Sequence, residues 1–380
     1  MAILRKGNLS VKAICLLLVF AVAFVYIIEY FKVFEPREEY DLQVQAATLM
    51  EECLKEIAQL RTELGIPFDS NEDPNHTGII GEEITVLSTT PGNEIAKRTS
   101  SNPSFAAMMV KFFLELGLES GDSVAIGSSG SFPSALLATL CAVKVLDLVP
   151  YATYSFGAST HGATIPEMTF WHMLERLREK DLLPFEFVAV SMGGSGDQGK
   201  SQSFSTVLEI LGYEGPSHQD VLRELCENTG LLFIDIPDME SNIKYRLAMY
   251  EELSKDNPIK CFVNVGGAST SYGGTSASNE LPSGVITEYA NIPTSPIRGL
   301  AFDYLALGIP VINIIDLRGL ALSNGLPIDP VPFPPIGQDG VYYKESYPTA
   351  MILLAMALLI IGAILLSGWR KKKNTEVPTS

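Results

Sequence analysis

The 380 residues predict an α/β fold, a mostly parallel sheet flanked by helices, anchored by an N-terminal and a C-terminal transmembrane helix. Three observations carry that reading. Short continuous Val, Ile and Phe runs alternate with helical patterns through the middle of the chain, as expected of buried parallel strands and their crossovers. An uncharged apolar stretch lies near each end, and basic clusters flank both stretches on their outer sides.

The first stretch, Ala13 to Ile28, contains no charged residue, and Val11, Tyr30 and Phe31 extend it toward the roughly 20 residues a span requires. Bulky Val25, Tyr26, Ile27 and Ile28 leave no small-x-small cleavage site, which favours an uncleaved anchor over a signal peptide. The second, Ala350 to Trp369, is twenty uncharged residues closed by an interfacial tryptophan and by Arg370, Lys371, Lys372 and Lys373. Because Lys and Arg mark the cytoplasmic side, the expected layout is a basic tail at 1–12, a span at 13–31, an extracytoplasmic domain at 32–348, a span at 350–369 and a second basic tail at 370–380. Both termini are then cytoplasmic and the protein belongs to the cell membrane. Residues 30–348 carry 20 basic and 42 acidic residues, a net charge near -22 against -17 for the whole chain. So acidic a domain repels phosphate backbones, which excludes nucleic acid as a partner.

Within the domain, Leu42, Ala46, Leu49, Cys53, Ile57, Leu60 and Leu64 recur at helical spacing, predicting one long amphipathic helix over 38–64 that Gly65 and Pro67 end. It either packs on the domain or forms a stalk that sets spacing or dimerisation, so a homo-oligomer is left open. Strands are expected at Ile84–Leu87, Ser123–Ile126, Phe187–Val190, Leu231–Ile234, Cys261–Val265 and Val311–Ile315. Helices are expected at Pro103–Leu116, Pro133–Leu146, Pro166–Lys180, Phe204–Leu211, His218–Asn228, Met239–Leu253 and Ile297–Leu307. LPIDPVPFPPIG at 326–337 reads as an extended linker to the second span.

Ligands of open α/β sheets bind beyond the carboxyl ends of the strands, and three clusters of small residues fall there. In VAIGSSGSFPSALLATL, Gly127, Ser128 and Gly130 shape a turn before a helix opening at Pro133, which suits an anion, while Ser129 or Ser131 can serve as a nucleophile. In VAVSMGGSGDQGKS, Gly194, Gly199, Lys200 and Ser201 match GxxxxGK[ST], a phosphate-cradling pattern, with Asp235 of LLFID as the companion acid. An outside location and the carboxylate of Asp197 among the phosphates both argue against a nucleotide. The third loop, VNVGGASTSYGGTSAS, offers Gly266, Gly267 and Ser269. Three such loops suggest a shared pocket.

Conventional catalytic residues are few. Of four histidines, His161 in a turn-rich loop is the best base, and a Ser–His–Asp arrangement would join Ser129 or Ser131 to His161 with Asp197 or Asp235. The five cysteines form no CxxC pair and no HExxH occurs, so no metal site is assigned and no cofactor is identified. Cys53, Cys141, Cys226 and Cys261 neither require nor exclude a disulfide.

The whole-chain plan carries a resemblance. The N-terminal anchor, AATLMEECLKEI, GEEITVLSTTPG, NPSFAAMMV, VAIGSSGSFPSALLA and the terminal span with its basic residues resemble the poly-gamma-glutamate system protein family over residues 10–372. The resemblance implies a membrane component of the machinery that synthesises and exports γ-linked polyglutamate, with a polymer synthase and export complex as partner and an anionic polymer or γ-glutamyl group as ligand. It brings no catalytic residue. Four readings follow: an accessory protein for synthesis or export of such a polymer, a serine-type hydrolase or transferase on γ-glutamyl bonds, a non-catalytic membrane scaffold, and a P-loop-like nucleotide-binding protein.

Overall fold

The computed structural model describes residues 9, 11–266, 269–275 and 280–375. In chain order, α1 (Val11–Tyr30), β1 (Val33–Pro36), α2 (Tyr40–Glu63), β2 (Ser88–Thr90), α3 (Glu94–Ser100) and α4 (Ser104–Glu115) precede the main sheet. Then come β3 (Ser123–Ser129), α5 (Pro133–Val145), β4 (Val149–Ser155), β5 (Ala158–Ser159), α6 (Phe170–Glu179) and β6 (Ala189–Ser191). Next are α7 (Gln202–Ile210), α8 (His218–Asn228), α9 (Met239–Leu253), β7 (Ile259–Val265), α10 (Ser269–Tyr272) and β8 (Gly284–Ile286). The chain continues through α11 (Leu300–Ala306), β9 (Val311–Ile314), α12 (Leu317–Ser323), β10 (Tyr343–Ser346) and α13 (Thr349–Thr375).

Two compact units result. The first comprises residues 1–37 and 343–380, the second residues 38–342. In the first, α1 and the Thr349–Leu366 part of α13 are long and apolar enough to cross a membrane. The protein is thus membrane-anchored, with a large soluble domain between two apolar ends. Leu17, Phe20 and Phe24 of α1 face Leu358, Gly362 and Leu366 of α13. A β-carbon on Gly362 would sit 3.3 Å from Leu17 Cδ2, so the glycine lets the helices approach closely. β1 and β10 pair antiparallel from Val33–Ser346 to Pro36–Tyr343, closing the helical hairpin with a short ribbon. Lys32 Nζ donates to Glu345 at 2.9 Å there, and Tyr347 donates to Glu29 at 3.1 Å.

The second unit is built on a six-stranded sheet in the order β6-β4-β3-β7-β9-β8, parallel except for β8. Every residue of β3 is buried, and all of β7 except Lys260. That explains why these strands read as continuous rather than alternating apolar runs. Ala125 and Phe262 pack with Ile243 and Tyr250 of α9 and with Phe302 and Tyr304 of α11. A second apolar layer forms where α2 packs on α4 and α5 through Ala46, Ala47, Met50, Cys53 and Ile57. The long helix is therefore packed against the domain along its apolar stripe. Cys53, Cys141, Cys226 and Cys261 are buried free thiols.

Several expected elements change. Ile84–Leu87 is a turn, because Thr85 and Ser88 bond one another through side chain and backbone and Leu87 N donates to Thr85 Oγ1. The strand begins at Ser88 and pairs with β5 in a separate two-stranded sheet. Leu231–Ile234 supplies only a single parallel bridge, Val190 to Phe233, on the edge of β6. The expected linker at 326–337 is docked on its own unit: Asn75 donates to Pro330 O at 2.9 Å, and Asp329 holds Arg98. β4, inside the sheet, was not expected at all.

Candidate functional site

After β3 the chain goes to one side of the sheet through β4 and β6, and the other side is filled by β7 and β9. The β3/β7 boundary is a topological switch point, where loops diverge and leave a crevice at the carboxyl ends. A cavity of ≈ 360 Å³ lies there. Ser129 ends β3, Ser155 ends β4, Gly193 and Gly194 follow β6, and Gly266 follows β7, all in its lining. The three small-residue loops thus share one site. Thr89, Thr90, Ser131, Ser195, Ser201, Ser203 and Ser269 add hydroxyls, and Lys200 is the one charged residue among the described residues that line it. A second cavity of ≈ 460 Å³ shares Ser195, Lys200 and Ser201 with the first and extends to Gly199, Ser217 and His218. The two adjoining cavities are the groove of this site, and Lys200 lines both.

The β3 loop divides. Ser129 Oγ donates to Gly266 O at 3.3 Å and accepts from Ser131 N at 3.3 Å, so it ties two cavity loops together. Ser131 Oγ accepts from Ser159 N at 3.0 Å. Gly127 and Ser128 lie behind the cavity: Ser128 donates to Thr153 O at 2.7 Å, and a β-carbon on Gly127 would meet Ser271 Oγ at 2.5 Å. Gly130 is a close-packing position, its carbonyl accepting from Ala163 N at 2.7 Å.

The loop from Gly193 to Ser201 matches the phosphate-cradling pattern in sequence but not in geometry. Asp197, in a left-handed conformation at φ 62°, turns its carboxylate inward. Oδ1 accepts from Ser191 Oγ at 2.8 Å and from Gly193 N at 3.1 Å. Oδ2 accepts from Arg246 at 2.7 Å and from Asn242 at 3.1 Å. The amides of Ser195, Asp197, Gln198 and Gly199 donate to Lys200 O, Gly194 O, Ser195 O and Gly193 O. Those four N–H groups are consumed inside the loop, and Gly193 N is taken by the Asp197 carboxylate. The P-loop-like reading is therefore set aside. Gly194, Lys200 and Ser201 still line the groove, and Ser269 Oγ bonds Gly194 O at 2.8 Å. Gly267 lies outside the described residues.

The expected Ser–His–Asp arrangement is not assembled. His161, at φ 60°, has Nδ1 3.8 Å from Glu72 Oε1, and among the described residues no hydrogen bond joins it to Ser129 or Ser131. Asp197 is committed to Arg246, and Asp235 pairs with Arg223 at 2.6 Å on the surface. Sequence reasoning missed Ser155, whose hydroxyl lies 2.8 Å from Ser191 Oγ and donates to Asp197 Oδ1 at 3.5 Å. It offered Lys97, with Arg98, Lys200 and Arg298, only as a scattered basic candidate for an anionic polymer. Lys97 is fully buried, its Nζ donates to Ser159 Oγ at 2.7 Å, and the Phe132 ring lies 5.5 Å away. Burial pushes its ammonium from 10.5 down to about 7. The only advance signal was a lysine beside Arg98 in a short helix just after STTPG.

Comparison of the chain with protein-family models, with curated proteins and with solved structures gave no match, so the functional reading rests on the site's own geometry.

Proposed function

We propose that this membrane-anchored protein holds a carboxylate-bearing linear polymer, such as poly-γ-glutamate, outside the membrane during its synthesis or export. The observation that carries the reading is the groove itself. It is lined by hydroxyls and glycines, and bears Lys200 without a lining carboxylate among the described residues, in a segment whose net charge is near -22. Acidic surroundings repel a polyanion, and a local basic, hydroxyl-rich track is the arrangement that still admits one. Serine hydroxyls and backbone amides suit carboxylate and amide groups repeated along a chain. Antiparallel β1–β10 pairing makes α1 and α13 enter the membrane from one face, in keeping with basic tails that share the cytoplasmic side.

The test is calorimetric titration of the detergent-solubilised full-length chain with γ-linked triglutamate. Binding is expected to weaken with added salt, and Lys200→Ala is expected to weaken it about three- to fivefold, the range of an exposed ion pair. Absence of binding, or equal binding of an uncharged triglutamine, overturns the reading. Copurification with a polymer synthase complex is the corresponding test of the partner.

A further inference from the structure

The strongest unexplained feature is a buried lysine with no ion pair. Lys97 Nζ lies 2.7 Å from Ser159 Oγ, and no carboxylate lies within 4 Å of it among the described residues. Glu94 and Arg98 on the same helix are paired with one another, and Asp329 also takes Arg98. Lys144 on α5 donates to the carbonyls of Asp181 and Leu182, Arg318 on α12 is exposed, and His161 beyond β5 faces Glu72. Nothing around Lys97 therefore neutralises it, and the ordinary purpose of a buried lysine, a salt bridge, is missing.

The pair adjoins the groove. Ser159 N donates to Ser131 Oγ, which lines the cavity. Exposed Gly92 lies over the pair: a β-carbon there would stand 2.4 Å from Nζ and 3.1 Å from Ser159 Oγ. Only a residue without a side chain fits there, and beneath it the pair is buried, Lys97 at 0% and Ser159 at 6% exposed.

We propose that Ser159 and Lys97 form a serine–lysine acyl-transfer pair, with Ser159 as nucleophile and Lys97 as general base, acting on an amide whose acyl group carries a carboxylate. Ser159 Oγ bonds to the carbonyl carbon while its proton passes to the amine lone pair of Lys97. The tetrahedral adduct collapses, the C–N bond breaks, and the leaving amine takes the proton from Lys97. Water then attacks the Ser159 ester, giving its proton to Lys97, which returns it to the departing Ser159 oxygen. Lys97 titrates from an ammonium to the amine this requires near neutral pH. The choice of a γ-glutamyl amide as donor rests on the function proposed above; the pair itself does not.

The test is labelling of the full-length chain in detergent with a fluorophosphonate, with the adduct located by peptide mass spectrometry. An adduct on Ser159 is expected, forming about tenfold faster at pH 8 than at pH 6, lost in Ser159→Ala and Lys97→Met, and retained in Ser131→Ala. Should Lys97→Met not fold, the wild-type pH profile decides, and a flat profile overturns the proposal. No adduct, or an adduct on Ser129 or Ser131, also overturns it. Labelling of Ser159 in a chain that does not bind triglutamate supports the pair and removes only the polymer reading.

Discussion

Arg246 on α9 and Asp197 in the loop after β6 meet at 2.7 Å with side chains 2% and 0% exposed, so a cation–anion pair closed off from water holds the floor of the groove. Its partners Asn242, Ser191 and Gly193 N leave neither carboxylate oxygen idle. Asp197→Asn strands the guanidinium and is expected to destabilise the domain by about 3–5 kcal/mol, read from urea unfolding. Pairing it with Arg246→Met should recover part of that loss, because the stranded charge is gone. If the double variant is as unstable as the sum of the two single ones, the coupling argument fails.

Lys97 gives stability a pH dependence of known sign. The unfolded chain keeps this proton up to its ordinary 10.5, whereas burial releases it in the folded protein near 7. Between those values the unfolded state binds more protons, so this group's contribution to stability rises with pH. From pH 6 to pH 9 the rise is about 2–3 kcal/mol at 1.36 kcal/mol per pH unit. Lys97→Met should remove it, gaining most over wild type at pH 6 and least at pH 9. Parallel melting curves at the two pH values would contradict the assignment.

Gly194 sits at φ 68°, and a β-carbon there would lie 2.9 Å from Lys200 O. Left-handed backbone costs a side chain about 1–2 kcal/mol, and the contact adds to it. Gly194→Ala is expected to shift the Lys200 loop, weakening triglutamate binding at least tenfold while circular dichroism stays unchanged. Unaltered affinity would place the ligand elsewhere.

Nucleotides should not bind. With the amides of Ser195, Asp197, Gln198 and Gly199 spent inside the loop and Asp197 turned inward, ATP with Mg²⁺ is expected to leave the melting temperature where it is. A rise of a few degrees at millimolar ATP would restore the reading that the loop geometry removes.

Legibility in the sequence followed burial. β3, β7 and β9 announce themselves because both faces are covered and each contains an unbroken apolar run, Val124–Ile126, Cys261–Val263 and Val311–Ile312. β4 does not: Pro150, Thr153 and Ser155 interrupt its run, yet Thr153 reaches Tyr250 at 2.9 Å and Ser155 reaches Ser191 at 2.8 Å, so its polar side chains are satisfied inside the fold. That missing strand hid Ser155 from the expected site. The convergence of the loops around Ser129, Gly194 and Gly266 was readable, since carboxyl ends of parallel strands share an edge. The roles of His161 and Asp197 were not, because the charged groups that face them, Glu72 at 3.8 Å and Arg246 at 2.7 Å, are distant in the chain and only folding selects them. The match over Gly194–Ser201 shows the same limit: residue types at the right spacing do not say where their amides point.

The ribbon of β1 and β10 also bears on how the domain is freed from its membrane helices. With a membrane helix before Val33 and another after Ser346, a protease that nicks the chain once between them produces two fragments that each keep an anchor. Freeing the domain needs two cuts, one near each of its ends, so a single nick leaves both halves attached to the membrane.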